Sequence, residues 1–166
     1  MSNTRKKFGK IYDKYVEKIY RFIFIKVSSK EVAEDLTSET FIRTWKSFEK
    51  GHEIKNPNAF IYRIAKNLTV DFYREKAKSP VISEDILQGA IDPESGQEEK
   101  LQLSGDIEQV KKSLANIKDE YQDVIVWRYL DGLSVPEISQ ILDKSEDAVR
   151  VTIHRALKAL KEEIKA

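Results

Sequence analysis

Cationic side chains near the C-terminus have the types and the spacing needed to contact DNA bases. Arg150, His154, Arg155 and Lys158 fall outside an apolar series that recurs at three- and four-residue steps, which predicts an amphipathic helix. An arginine can bind guanine through two hydrogen bonds, and Val151 on the same outer side could contact a thymine methyl group. The pattern therefore predicts base recognition in a major groove; the alternative is a packing unit with a solvated outer face. The inner side of this helix is predicted to consist of Val149, Ile153, Ala156, Leu157, Leu160 and Ile164.

A helix–turn–helix pattern is predicted to position this segment. Gly132 is suited to the left-handed position after a helix that runs from about Asp119 to Leu130 with Tyr121, Val124 and Ile125 towards the core. Ser134 and Glu137 have the spacing of a capping box with proline between them, which opens a short helix ending near Leu142. Ser145 then caps the last helix.

A second cluster combines aromatic and cationic residues on one predicted helix. Such a combination suits single-stranded nucleic acid, because bases stack on aromatic rings while Lys and Arg follow the phosphates. An asparagine in the cluster could bond an exposed base edge. The alternative is that the aromatic residues complete a helical core, with Phe60 and Tyr62 the first candidates. The cluster comprises Phe60, Tyr62, Arg63, Lys66, Asn67, Tyr73 and Arg74.

A third group alternates in charge along an earlier helix. Asp35, Glu39, Arg43 and Lys46 recur at three- and four-residue steps. This spacing is typical of a solvated helix face stabilised by ion pairs, and a partner-docking role is the alternative.

The elements that hold these groups are all predicted to be helical. Glycine, proline and alternating apolar residues are scarce, which predicts an all-α protein. Apolar spacing predicts a long first helix over residues 8–23. A second helix starts near Ser29 or Lys30 and runs to about Phe48 through Leu36, Phe41, Ile42 and Trp45, and a third spans about 58–76 after a loop over 50–57. The buried stripe of the third helix is predicted to be Ile61, Ile64, Ala65, Leu68 and Phe72.

Charge and composition divide the chain into two small helical domains. Residues 1–78 contain 18 Lys and Arg against 10 Asp and Glu, whereas residues 79–107 contain one against seven. Residues 79–106 are also rich in glycine and proline and are predicted to be a flexible acidic linker. The predicted domains are therefore 1–78 and 107–166, and the basic first domain suggests a polyanionic partner.

Several functional classes are excluded or disfavoured by composition. The chain has no cysteine, which excludes disulfides, zinc fingers and thiol catalysis. Its two histidines, His52 and His154, form no recognisable metal site, and no phosphate loop or catalytic triad signature is present. We therefore expect a protein that is not an enzyme and needs no metal or cofactor. No signal peptide or apolar run of membrane-spanning length is present, so we expect a cytoplasmic location without membrane insertion.

Taken together, three stretches resemble bacterial RNA polymerase sigma factors of the extracytoplasmic-function (ECF) type in the sigma-70 family. Residues 34–45 are similar to the family's helix that binds core polymerase. Residues 59–67 resemble its promoter-melting helix, and residues 133–160 resemble its C-terminal helix–turn–helix. Their order and the acidic linker also match. The resemblance covers nearly the whole chain.

The resemblance implies core RNA polymerase and promoter DNA as partners and an anti-sigma factor as a regulator. The first domain would bind core polymerase through Asp35, Glu39, Arg43 and Lys46. The last helix would contact the −35 box in duplex form. The loop over 50–57 and the helix after it would contact and melt the −10 box, with one base flipped into a pocket. The implied −35 residues are Arg150, Val151, His154, Arg155 and Lys158, and the implied −10 residues are Lys55, Asn56, Phe60, Arg63, Lys66, Asn67 and Arg74.

The sequence departs from the family pattern in two places. The turn of the helix–turn–helix has Asp143-Lys144 instead of glycine and an apolar residue, and aspartate tolerates the left-handed conformation that this turn requires. Phe60 replaces a tryptophan that is common in the melting helix. The competing interpretation is a stand-alone helix–turn–helix regulator of duplex DNA, which leaves the aromatic and cationic helix unexplained. An enzyme acting on nucleic acid would need clustered acidic residues with metal-binding spacing.

Overall fold

A computed structural model describes residues 2–78 and 104–165, and within these ranges the chain forms helices joined by short turns, with no strand. The all-α prediction is therefore confirmed. The contacts divide the chain into two compact units, Met1–Ile91 and Asp92–Ala166. The predicted linker, residues 79–106, lies almost entirely outside the described residues, so the predicted domain boundaries stay predictions. The helices of the described ranges are α1 Ser2–Val27, α2 Lys30–Glu49, α3 Pro57–Lys78, α4 Ser104–Asn116, α5 Asp119–Ile125, α6 Val135–Leu142 and α7 Glu146–Lys165.

The N-terminal unit is a bundle in which α1, α2 and α3 each pack against the other two. Ile19, Phe22 and Ile23 of α1 are fully buried at its centre. Phe22 meets Tyr62 of α3 edge to face, with 5.9 Å between the ring centroids. The long first helix and the third helix are confirmed, and the stripe predicted for α3 faces the core, with Ile64 and Phe72 at its half-buried edges.

A two-residue turn separates α1 from α2. Ser28 has φ 53°, in the left-handed region that non-glycine residues seldom adopt. The next residue, Ser29, is extended and caps α2, since its Oγ accepts a hydrogen bond from the Val32 backbone N–H at 3.3 Å. The helix start predicted near Ser29 is confirmed, and the short turn explains why α1 and α2 lie side by side.

The buried side of α2 differs from the apolar series predicted for it. Of that series only Phe41 is buried; Leu36 and Trp45 are half-buried and Ile42 is 46% exposed. The other buried positions of α2 are Ala33, Phe48 and three threonines. Each threonine hydroxyl donates to the carbonyl four residues earlier, at 2.6, 2.7 and 2.8 Å, so burial leaves no hydroxyl unsatisfied. These residues are Thr37, Thr40 and Thr44.

In the C-terminal unit, α5 continues directly into a π-helical turn, Val126–Leu130. The predicted helix over 119–130 is therefore one segment with a widened last turn. The π geometry buries Trp127 completely and exposes Tyr129 and Leu130. Gly132 with φ 72° ends the segment, as predicted. Val124 and Ile125 are buried as predicted and Tyr121 is half-buried, whereas Trp127 was not anticipated in the core.

The helix–turn–helix is built from the predicted caps. The Ser134 backbone N–H donates to Glu137 Oε1 at 3.0 Å while Ser134 Oγ accepts from the Glu137 N–H at 3.2 Å, a complete capping box. Asp143 takes the left-handed conformation at the end of α6, with φ 54°. Lys144 in the turn donates to Glu120 of α5 at 2.8 Å, and Ser145 Oγ accepts from the Ala148 N–H. This ion pair links the turn to α5. At these turn positions the family that the chain resembles usually has a glycine followed by an apolar residue.

Candidate functional site

The outer face of α7 brings together every residue predicted to contact duplex DNA. Val149, Ile153 and Ala156 are buried against the rest of the C-terminal unit, and this burial turns the opposite side of α7 to solvent. The exposed positions extend over nine residues, or about 12 Å of helix. A supported helix of these dimensions fits a major groove. The exposed residues are Arg150, Val151, His154, Arg155 and Lys158.

One residue of α7 departs from its predicted side. Leu157 was assigned to the inner stripe but is 38% exposed, while Leu160 and Ile164 are half-buried. Fewer side chains of α7 are therefore buried in the core than the sequence predicted. Ala156, predicted on the same side, is fully buried.

The cationic residues on the outer face of α7 differ in whether they form ion pairs. Arg150 Nη1 lies 3.0 Å from Asp147 Oδ1, and Arg150 Nη2 lies 3.6 Å from Glu146 Oε1. Both acids are in the first turn of α7, where the helix dipole favours negative charge. By contrast, within the described part of the chain neither Arg155 nor Lys158 makes a hydrogen bond or ion pair. These two cations are therefore available to a polyanion without a competing partner.

The second predicted nucleic-acid surface lies on α3. Arg63, Asn67 and Arg74 are exposed along one side of it, and Lys66 is half-buried beside them. Tyr73 is 43% exposed and Val70 is 39% exposed on the same helix. This side therefore offers three cations, an amide and one accessible aromatic ring to a ligand.

The aromatic residues of α3 are less accessible than the surface hypothesis requires. Tyr62 is fully buried against Phe22 and is part of the core, which confirms the alternative interpretation for that residue. Phe60 is half-buried. Of the aromatic residues in the predicted cluster, only Tyr73 and the exposed part of Phe60 are accessible to a base.

The loop before α3 contains two residues predicted to contact DNA. Lys55 is exposed, whereas Asn56 is half-buried and caps α3, with its Oδ1 accepting from the Ala59 N–H at 3.3 Å. Gly51 takes φ 79° and ends α2. Asn56 therefore has a structural role that the sequence analysis did not assign, and its role in DNA binding stays a prediction.

The charged face of α2 is the surface predicted to dock a partner. Asp35, Arg43 and Lys46 are exposed and Glu39 is half-buried, with Arg43 Nε 2.9 Å from Glu39 Oε1. Such an exposed pair contributes little to stability. Ile42 lies among these residues, and its exposure was not predicted. Phe41 and Ile42 are adjacent, about 100° apart around the helix, and Phe41 takes the buried position.

Beside this face, α1 and α2 form an open groove with a volume of about 410 Å³. Its aromatic floor is ordered by edge contacts, with ring centroids 5.2 Å apart for Phe8 and Trp45 and 5.0 Å apart for Tyr12 and Phe41. Tyr12 is itself 43% exposed. An apolar groove next to a charged helix face is typical of a surface that binds another protein. The groove is lined by Phe8, Tyr12, Thr37, Ser38, Phe41, Ile42 and Trp45.

Neither a metal-binding cluster nor a membrane-spanning helix occurs within the described residues. Residues 2–78 and 104–165 contain no group of three or more His, Cys, Asp and Glu side chains placed to hold a metal ion. None of the helices described here has the length and apolar character that crossing a membrane requires.

Comparison with known proteins gives two family matches. Residues 11–79 match the family model described as Sigma-70 region 2. Residues 107–160 match the model described as Sigma-70, region 4. The first match spans most of the three-helix unit and the second spans the unit that contains the helix–turn–helix.

Individual relatives cover most of the chain. The chain is 30% identical over 170 residues to the ECF RNA polymerase sigma factor SigW of Bacillus subtilis, an alignment that covers 95% of this chain and 89% of SigW. It is 29% identical over 154 residues to the ECF RNA polymerase sigma factor BldN of Streptomyces coelicolor. That alignment covers 92% of this chain, which spans 58% of the length of BldN.

Solved structures show the same fold. The sigma factor RpoE in complex with the anti-sigma factor NepR, from Bartonella quintana, has a TM-score of 0.69 at 21% identity, with 97% of this chain and 98% of that chain covered. CnrH in complex with the cytosolic domain of CnrY has a TM-score of 0.68 at 20% identity, with 97% and 89% covered.

Proposed function

The chain belongs to the sigma-70 family of RNA polymerase sigma factors, to its ECF type, and we propose that it directs core RNA polymerase to specific promoters and initiates transcription there. The observation that carries this proposal is the outer face of α7, where five predicted contact residues are all exposed on a helix whose inner side is buried. The protein acts by binding, without a catalytic centre of its own. Its place of action is the cytoplasm, where the polymerase transcribes.

Duplex recognition belongs to the C-terminal unit. Arg150 and Arg155 supply the bidentate donors that distinguish guanine, and Val151, 48% exposed, supplies an apolar contact for a thymine methyl group. His154 and Lys158 lie on the same side and contribute to the −35 contact. Phosphate contacts from such cations orient the helix, while base contacts select the sequence.

Strand opening belongs to α3 and the loop before it. Lys55, Arg63, Lys66 and Arg74 would follow the phosphates of the separated strand, while Asn67 bonds a base edge. Phe60 and Asn56 complete the proposed −10 surface. Unstacking a base costs a few kcal/mol, and capture of the flipped base with contacts to the displaced strand offsets that cost. No ATP is needed for this step.

Docking to core polymerase belongs to the outer face of α2. The exposed Ile42 lies beside the charged residues of α2. Its apolar contact with a partner would be bordered by charges that select that partner. These charged residues are Asp35, Glu39, Arg43 and Lys46. An anti-sigma factor is a further proposed partner, supported by the fold shared with RpoE in complex with the anti-sigma factor NepR.

Transcription in vitro with purified core polymerase on a library of promoter fragments tests the proposal. We expect start sites that require this protein and share two recurring sequence elements. The competing function, a stand-alone regulator of duplex DNA, would bind its sites without polymerase and would not co-purify with core. Absence of protein-dependent start sites, together with no association with core, would overturn the initiation role.

Arg155→Ala is expected to reduce discrimination at particular positions of the upstream promoter element. Loss of a bidentate contact to guanine costs about 1–3 kcal/mol, which corresponds to roughly a 5- to 150-fold loss at one position. The measurement is holoenzyme affinity for promoter fragments substituted one base pair at a time. Lys158→Ala provides the comparison: a phosphate contact should weaken all fragments equally and lower the salt slope by about one. Equal weakening across all fragments by Arg155→Ala would argue against base recognition by that residue.

Asn67→Ala is expected to impair strand opening more than duplex binding. Asn67 is exposed on α3, and loss of one hydrogen bond to a base edge costs about 0.5–1.5 kcal/mol, or roughly a two- to tenfold smaller open fraction. Permanganate reactivity of unpaired thymines reports opening, and binding at low temperature reports the closed complex. A promoter with a mismatched bubble over the −10 element serves as control. If closed-complex affinity falls as far as opening, Asn67 only supports the fold.

A further inference from the structure

The first turn of α7 holds one of the proposed base-contacting residues in an ion-paired unit. Arg150 Nη1 donates to Asp147 Oδ1 at 3.0 Å with i,i+3 spacing. Glu146 lies on the other side of the guanidinium, with its Oε1 3.6 Å from Arg150 Nη2, beyond hydrogen-bond distance. The Asp147 side chain is 96% exposed and Arg150 is 57% exposed, so the pair stands on the surface that the proposed function assigns to DNA.

We propose that Asp147 is a positioning residue that presets Arg150 for guanine and thereby determines specificity at one base pair of the upstream element. This inference rests on the proposed function of α7. It assigns a role to an acidic side chain that would otherwise only repel phosphates.

The geometry of the guanidinium supports this role. Arginine has five N–H donors in a rigid fork. Asp147 engages Nη1, and Glu146 is too far from Nη2 for a hydrogen bond, which leaves the edge formed by Nε and Nη2 for the O6 and N7 acceptors of guanine. An arginine held in one rotamer loses less conformational entropy when it binds. Asp147 therefore presets one edge of the guanidinium for a base that has two acceptors on one edge.

The Asp147–Arg150 pair also predicts which DNA sequences a substitution of Asp147 affects. Asp147→Asn removes a negative charge near the DNA, so affinity for unrelated sequences should stay the same or rise. The preference for guanine at the position that Arg150 contacts should fall, because the arginine side chain is no longer held. An exposed ion pair contributes about 0.2–1 kcal/mol, so we expect a roughly 1.4- to fivefold fall in the ratio of affinities for guanine and non-guanine fragments.

The test uses full-length protein in holoenzyme with core polymerase. Arg150→Ala first identifies the base pair at which guanine preference depends on Arg150. Asp147→Asn is then measured at that base pair alone and in the Arg150→Ala background. We expect Asp147→Asn to lower the preference in the wild-type background and to change nothing further in the double variant. Glu162→Gln is the matched control, since it makes the same charge change on an exposed residue of α7 about 22 Å along the helix from Asp147; it should leave the preference unchanged.

Three outcomes would overturn the inference. An undiminished preference in Asp147→Asn would show that the pair does not position Arg150. A persistent effect in the Arg150→Ala background would mean that Asp147 acts by itself, as an acceptor for a cytosine amino group or through its charge. Uniform weakening of all fragments by Arg150→Ala would mean that Arg150 contacts phosphate. Failure of the proposed function is a different result, in which wild-type holoenzyme shows no sequence preference at all.

Discussion

Trp127→Ala is expected to unfold the C-terminal unit while the N-terminal unit keeps its structure. The indole is fully buried in the π-helical turn after α5. Truncation of a buried tryptophan to alanine costs about 3–5 kcal/mol. A unit of this size has little more stability than that to lose.

Denaturant unfolding followed by circular dichroism measures the effect. We expect a new transition at low denaturant for the variant, with loss of promoter binding but retained association with core polymerase. Tyr129→Ala is the matched control, because it removes an aromatic ring from the same turn at a side chain that is 55% exposed. A surface change of this kind should stay within about 0.5 kcal/mol of wild type. A single transition that shifts as a whole in Trp127→Ala would contradict independent stability of the two units.

Ile42→Glu is expected to prevent assembly with core polymerase without unfolding the N-terminal unit. Ile42 is 46% exposed between the charged residues of α2 and borders the aromatic groove, so its replacement adds a charge at the surface and not inside the core. A carboxylate at the centre of a protein interface would be desolvated without a partner. Central interface residues cost at least about 2 kcal/mol when disrupted, which predicts a loss of roughly 30-fold or more in affinity.

Titration of labelled protein with core polymerase measures that affinity, and thermal unfolding reports the fold. Val70→Glu is the matched control, since Val70 is 39% exposed in the same unit but lies on α3. It should assemble with core normally and affect only promoter opening. Wild-type affinity of Ile42→Glu for core would show that the docking face lies elsewhere on the N-terminal unit.

The helix boundaries were predictable because their signals are local. Ser29, Ser134 and Ser145 accept hydrogen bonds from backbone groups three residues on, and Gly132 and Asp143 adopt the left-handed conformation that ends a helix. Each of these interactions is complete within one helical turn. The local sequence therefore specifies these helix ends regardless of how the helices pack against one another. The predicted face of α7 followed from the same local periodicity.

The side of α2 that enters the core was not predictable in this way. Its helix has two candidate sides: an apolar series that includes Ile42, and a series of threonines whose hydroxyls bond within the helix. Intrahelical hydrogen bonds make the threonines compatible with burial, so hydropathy no longer separates the two sides. The space left by the neighbouring helices α1 and α3 determines which of the two sides of α2 is buried. The same packing leaves Ile42 exposed on the proposed docking face.

By itself the sequence determined an all-helical chain, its helix starts and ends, and the cationic face of its last helix, because periodicity and capping act over a few residues. Only the tertiary structure decided that Tyr62 is core, that Ile42 is surface and that an aromatic groove opens between α1 and α2. The ion pairing of Arg150 with Asp147 belongs to the same group, since its side-chain rotamers and distances cannot be obtained from spacing. Burial depends on residues distant in sequence, and packing selects which side chains are buried.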